Sequence, residues 1–193
     1  MTPRLFIIGG TSHAGKSTLG AAVAGRLGWR CVSTDSLARH PGRPWRDAPE
    51  QVPPHVIEYY RDLSLDERMQ SVLQHYRSMW EPLVHPLMTG DEPLVLEGSA
   101  LLPELVVTVL SQEMRAVWLV ADEGVVERRI RIESAYDSRD AQGRFLIDSF
   151  AERAAAFNHL MAEEVERFGL QKIAVGETTE LDELLEKVVT GNG

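Results

Sequence analysis

The 193-residue sequence predicts an α/β fold, a parallel sheet covered by helices on both faces. Three observations lead there. Short apolar runs alternate along the chain with longer stretches whose apolar residues recur every three or four positions. The first run, 5–8, ends in two glycines and feeds directly into a helical stretch. Between them, residues 10–17 read G-T-S-H-A-G-K-S, which fits the phosphate-binding pattern G-x-x-x-x-G-K-[ST] at every fixed position.

The spacing of that segment has a physical meaning. Gly10 and Gly15 allow a tight backbone whose successive N–H groups point inward at phosphate oxygens. Lys16 adds a point charge for the β- and γ-phosphates, and the Ser17 hydroxyl can ligate Mg²⁺. A helix starting near Lys16 aims its positive end at the same anion. Gly10, Thr11, Ser12, His13, Ala14, Gly15, Lys16, Ser17 and Thr18 are therefore expected to hold ATP with Mg²⁺. The chain has only three lysines, Lys16, Lys172 and Lys187, which makes a chance lysine in the pattern less plausible.

Composition sets the outer bounds. With 193 residues and 44% apolar content, the chain supports one domain, 1–193, with a full core. No run reaches the length of a membrane span and no signal-peptide layout opens the chain, so a cytoplasmic protein without membrane contact is expected. The net charge of −9 argues against a nucleic-acid partner. A single cysteine, Cys31, excludes an internal disulfide and reads as a buried, inert thiol in a strand.

Taken in order, Leu19, Ala22, Val23, Gly25 and Leu27 form the first helical stripe, and Gly28 stops it. Residues 30–33 read as the second strand. Asp35 then stands at a carboxyl end of the sheet, where it would serve an acceptor hydroxyl as base or anchor, or cap a short helix begun at Ser36. Residues 39–54 are proline-rich and left without an element; Arg39, Arg43 and Arg46 there could meet an anionic acceptor. Helical patterning returns at 56–62. Ser64 and Glu67 then form a capping box ahead of a long stripe that includes Leu65, Met69, Val72, Tyr76, Trp80 and Leu87, read as core and interrupted by Pro82 and Pro86.

The third strand ends in Glu97-Gly98, which places a carboxylate where Mg²⁺ or the acceptor needs one. The fourth strand spans 116–120, with Asp122 as the expected cap of a helix over 123–132. Arg128 and Arg131 share a face of that helix by their spacing, while Arg129 points elsewhere. With Arg139 in the polar stretch 134–144, they are candidates for neutralising charge on the moving phosphoryl group; surface pairing with Glu127 and Glu133 is the plain alternative. A long helix over 145–168, a fifth strand at 172–175 and a final helix over 180–189 complete the pattern. The loop between those last two is a candidate border for the adenine base.

The order of these features resembles the nucleoside-monophosphate-kinase-like branch of P-loop small-molecule kinases over essentially the whole chain. Within it, IIGGTSHAGKST looks like the loop of 2-phosphoglycerate kinases, LVLEGSALLP like their strand ending in EG-x-H-x-x-P, and Arg139, Arg144, Phe145, Phe150 and Arg153 like their R…RY…f…R segment. The sequence departs from that pattern at His13, where the loop has glycine, and at Ala100, where the motif has histidine. The loop followed by Asp35-Ser36-Leu37 is also similar to chloramphenicol phosphotransferases, in which the matching aspartate is the base.

The resemblance implies a three-layer α/β/α sandwich with a five-stranded parallel sheet, an acceptor-binding helical region over about 36–92 and an arginine-bearing lid over about 128–153. It implies Lys16, Asp35, Glu97, Arg128, Arg131 and Arg139 as catalytic residues. Ser17 and Glu97 would be the metal residues, and Arg144 and Arg153 would join the loop in nucleotide binding. The expected activity is transfer of the γ-phosphoryl group of Mg²⁺-ATP to a small hydroxylated or phosphorylated metabolite, with a 2-phosphoglycerate-like acceptor favoured. The expected oligomeric state is a monomer or homodimer. A nucleoside-monophosphate or antibiotic kinase and a non-catalytic nucleotide-binding protein stand as alternatives. A GTPase switch is disfavoured, because neither asparagine, Asn158 nor Asn192, is followed by lysine.

Overall fold

The structure, a computed structural model, describes residues 3–38, 41–45 and 52–190. β1 (Leu5–Gly10) is buried along its whole length and runs directly into the phosphate-loop segment, after which α1 (Lys16–Leu27) begins. Gly28, in the left-handed region, ends α1 as expected. β2 (Arg30–Ser33), the short helix α2 (Thr34–Leu37), α3 (Pro54–Asp62) and α4 (Leu65–Met79) follow. The Ser64–Glu67 capping box is present with both of its hydrogen bonds. Pro82 lies in a π-helical turn, Trp80–Val84, that joins α4 to α5 (His85–Thr89), so the stripe is interrupted where the prolines demanded it.

Beyond these come β3 (Leu94–Glu97), α6 (Pro103–Val106), β4 (Met114–Ala121), α7 (Val125–Glu133), α8 (Ala141–Arg167), β5 (Gln171–Val175) and α9 (Leu181–Thr190). The five strands are all parallel, in the order β2-β3-β1-β4-β5. Alternation along β1 feeds two cores. Leu5 and Ile7 pack with Val72, Trp80, Phe157 and Met161 of the helices on one face, and Phe6 and Ile8 with Leu19, Val23, Leu184 and Val188 on the other. A three-layer α/β/α arrangement results. A third apolar cluster, Val56, Tyr60, Val126, Ile130, Ile147 and Phe150 among its members, ties α3, α7 and α8 together.

Several local expectations are corrected. Cys31 is exposed, because β2 is the edge strand and presents only one neighbour to the sheet. Asp122 does not cap α7; the residue before the helix is Gly124 in the left-handed region, and Asp122 instead accepts a backbone turn bond from Val125. The polar stretch 134–144, for which no element was expected, takes regular structure. It folds into a single 3₁₀ turn, Tyr136–Ser138, and then α8 starts at Ala141 with Asp140 as its cap, accepting from the Gly143 N–H at 2.7 Å. α6 had no counterpart in the periodicity, being only four residues long.

Gly98 shows how tightly the end of β3 is packed. Its φ is +145°, and a Cβ there would lie 1.8 Å from Thr34 Oγ1. Gly98→Ala is therefore expected to destabilise the protein by about 3 kcal/mol or more, from strain plus overlap. Thermal unfolding should register this as a fall of roughly 6–12 °C. A fall of under about 2 °C would show that Thr34 yields easily.

Candidate active site

The sheet register assembles the site. Ile8 is paired with Glu97, and Glu97 with Ser33, so the carboxyl ends of β1, β3 and β2 stand side by side. Ligands of open α/β sheets bind in the crevice outside such ends. The phosphate loop leaves β1, Asp35 follows β2 by two residues, and Glu97 ends β3. Asp35 lies within the first turn of α2 after the N-cap residue Ser33, so it is not the cap that the sequence had allowed.

The loop has the backbone of an anion cradle. Gly15 precedes α1 in the left-handed region with φ of +101°, and among the described residues no side chain caps α1. Its N-terminal N–H groups are thus left for a ligand. His13 is also left-handed, with φ of +64°, in the position where a glycine would be unstrained. Thr11 anchors the loop by donating to the Ala154 carbonyl at 2.9 Å. Lys16 is 5% exposed, and its ammonium donates to the Thr11 carbonyl at 2.6 Å. Burial pushes the Lys16 ammonium below its ordinary value, while the Asp35 and Glu97 carboxylates oppose that shift.

Ser17 and Glu97 present oxygens that could hold a cation. The Ser17 hydroxyl donates to Glu97 Oε1 at 3.1 Å, and Glu97 Oε2 is buried with no hydrogen-bond partner. An orphaned carboxylate oxygen beside a hydroxyl fits Mg²⁺, which takes one or two protein oxygens and completes its shell with phosphates and water. No cluster of three or more His, Cys, Asp or Glu among the described residues competes for a metal.

Two cavities meet over Ser17, while Glu97, buried behind it, lines neither. The first, about 420 Å³, is lined by residues 12–18, Arg129, Glu133 and, on its apolar side, Val175, Thr179, Leu181 and Leu184. The second, about 530 Å³, is lined by Ser33, Ser36, Trp45, Tyr76, Ser99, Phe150 and Arg153. Ser12, Ser17, Asp35 and Arg43 belong to both. Tyr76 is partly buried at the second cavity, where desolvation pushes its hydroxyl up to about 12 against the opposing charge of Arg153, so it remains a hydrogen-bond donor.

The arginines sort differently from the sequence reading. Arg129, not its neighbours, reaches the loop: Nη1 donates to the His13 carbonyl at 3.0 Å and Nη2 to the Gly176 carbonyl at 3.4 Å. Arg128 is exposed and ion-paired to Glu177. Arg131 pairs with Glu127 and Asp148 and lies over the Tyr136 ring. Arg139 donates to the Ser134 carbonyl at 2.7 Å, and Arg144 to the Asp137 carbonyl at 2.7 Å. None of these four lines either cavity, so the structure does not gather them with Lys16 and Asp35. The physical reason is their helix face: α7 buries Val125, Val126 and Ile130, which turns Arg128 and Arg131 outward. Arg153 lines the second cavity rather than the phosphate loop; it is 8% exposed, and its Nη1 has no hydrogen-bond partner. Arg39 and Arg46 lie outside the described residues.

Trp45, Tyr76 and Ser99 enter the site by roles the sequence did not assign, while His13 and Thr179, expected near the nucleotide, line the first cavity. Tyr76 was hidden within an apolar stripe. Ser99 is two residues past Glu97, where the turn after β3 carries it into the cavity. The buried His13 side chain packs against Trp45 and Phe150, with centroid separations of 6.0 Å each, and its Nε2 lies 2.8 Å from Glu133 Oε2. Burial, reinforced by Arg43, lowers its pKa to about 4, so the ring is neutral at pH 7.

No protein-family model and no curated protein sequence matches the chain. Solved structures do. A deoxyadenosine kinase from M. mycoides with the products dCMP and a flexible dCDP bound superposes with a TM-score of 0.55 at 15% identity, over 97% of both chains. Shikimate kinase from Acinetobacter baumannii in complex with shikimate gives 0.51 at 14% identity, over 100% of this chain and 96% of that one. The protein therefore has the α/β fold of the P-loop small-molecule kinases. No described helix is long and apolar enough to cross a membrane.

Proposed function

We propose that the protein is a Mg²⁺-ATP-dependent phosphotransferase whose acceptor is a small molecule carrying both a hydroxyl and an anionic group, of the 2-phosphoglycerate kind. One observation carries the reading. Two cavities share a wall containing Asp35 and Ser17, and the second encloses a buried guanidinium with an unpartnered Nη1. The guanidinium meets the Tyr59 side chain and the rings of Tyr60 and Phe150, but its Nη1 is left unmatched, and a carboxylate or phosphate on the acceptor would complete it. The kinases of similar fold act on small acceptors, which agrees with a cavity of this size.

In this reading the loop and Lys16 hold the β- and γ-phosphates, with the apolar edge at Val175 and Leu184 facing the base. Ser17 and Glu97 would hold Mg²⁺, which would supply charge neutralisation at the phosphates. The acceptor hydroxyl, placed in the second cavity, attacks the γ-phosphorus as the bond to the β,γ-bridging oxygen breaks. ADP leaves with that electron pair, and the hydroxyl proton passes to Asp35. Of the region over about 36–92, Ser36, Arg43, Trp45 and Tyr76 would face the acceptor, and of the segment over about 128–153, Arg129, Glu133, Phe150 and Arg153 border the two cavities.

Arg153→Met tests the acceptor class. Steady-state kinetics should show KM for an anionic acceptor raised by roughly 30-fold or more with KM for ATP little changed, as expected for loss of a charge-assisted contact. Unchanged acceptor KM, or turnover only with uncharged hydroxylated compounds, would overturn the anionic assignment.

A further inference from the structure

We propose that Arg43 is a catalytic arginine that contacts the phosphoryl group at the junction of the two cavities, an inference that rests on the phosphotransferase reading. Among the described residues it is the single cation lining both spaces: Lys16 and Arg129 border only the first, and Arg153 only the second. The residues that share this position are Ser12, Ser17 and Asp35. A group moving from a donor phosphate over Ser17 to an acceptor beside Asp35 must cross the space that Arg43 faces.

The chemistry asks for a cation there. As the oxygen–phosphorus bond to the acceptor forms and that to ADP breaks, charge is spread over the three equatorial phosphoryl oxygens, and a guanidinium fork matches two of them. Lys16, at the loop, reaches the donor side, and Arg153 is enclosed on the acceptor side. Arg43 remains to serve the middle, and its positive field is felt at both Lys16 and His13.

Its present contacts suit a side chain that is placed but not committed. Arg43 is half exposed and ion-paired with Glu133, whose other oxygen faces His13. Its guanidinium lies 6.0 Å from the centre of the Trp45 ring. Glu133 is the last residue of α7, so the arginine is held at the cavity mouth from the opposite wall. An anionic phosphoryl group competes directly with that carboxylate for the guanidinium.

The test compares binding of Mg²⁺-ADP with binding of Mg²⁺-ADP plus tetrafluoroaluminate, a planar mimic of the phosphoryl group in transfer. Calorimetry on the wild type and Arg43→Ala should give ADP affinities within about threefold of each other. Affinity for the fluoroaluminate complex should fall by roughly 30-fold or more in the variant, in the range for a lost transition-state donor. Arg43→Lys, which keeps the charge and loses the fork, should fall between. Equal affinities of wild type and Arg43→Ala for the fluoroaluminate complex, or an equal loss for both ligands, would overturn the assignment. Failure of the wild type to bind Mg²⁺-ADP at all would strike the phosphotransferase reading itself, and this inference with it.

Discussion

Lys16→Ala is expected to remove ATP turnover, lowering kcat by roughly 1,000-fold or more, because no other described cation shares its place inside the loop. The residue is buried against the Thr11 carbonyl and feels the Asp35 and Glu97 carboxylates, so its charge sits where donor phosphates would displace that carbonyl. The loss of turnover should not come from unfolding. Burial already disfavours the ammonium, and removing it relieves that desolvation while leaving the Thr11 carbonyl facing the cradle. Thermal unfolding within a few degrees of the wild type, together with absent turnover, is the expected pair of results. Turnover above about a tenth of wild type would contradict the donor-site assignment.

Asp35→Asn carries the second large effect, a fall in kcat of at least ~100-fold, as expected for loss of a general base. Nucleotide binding should survive, because Asp35 borders the donor cavity without belonging to the loop that wraps it. The side chain lies in a four-residue helix at the sheet's carboxyl edge and lines both cavities, which leaves it free to meet an acceptor hydroxyl. Pre-steady-state measurement of product formation, beside equilibrium binding of ADP, separates the two effects. A near-normal chemical step would remove Asp35 from the base role and leave it as an acceptor anchor.

What the sequence disclosed, and what it concealed, follow from the range of the interactions involved. The strands, the phosphate loop, the capping box at Ser64 and the position of Glu97 are set by local pattern, and they stand where the residues indicate. The strand order is not local. It depends on which edges pair, and it is what exposes Cys31 and brings Ser33 beside Glu97. The arginines show the same division. Pairwise spacing alone marked Arg128 and Arg131 as a shared face, but α7 rests on Val125, Val126 and Ile130. Arg129 is four residues after Val125 and three after Val126, so it belongs to the inward stripe and meets the loop.

The same signal marks Arg68 and Arg153. Arg68 lies four residues before Val72 on the buried side of α4 and donates to the Ser149 carbonyl and to Glu152. Arg153 follows Phe150 by three residues and precedes Phe157 by four on the buried side of α8. A charged residue occupying an apolar stripe was thus the legible clue. Tyr76 and Ser99 gave none, because a cavity-facing tyrosine in a core helix and a serine in a turn look ordinary until the tertiary fold places them.

The central claim, transfer of the γ-phosphoryl group to a small anionic acceptor, is tested most directly by following the label from γ-³²P-ATP in the presence of Mg²⁺. Candidates are 2-phosphoglycerate, small hydroxy acids, nucleoside monophosphates and uncharged hydroxylated compounds. The account predicts label in an acceptor bearing a carboxylate or phosphate, formed at the rate of ADP release and lost in Asp35→Asn. Label recovered only as inorganic phosphate, or transferred to uncharged compounds alone, would contradict it.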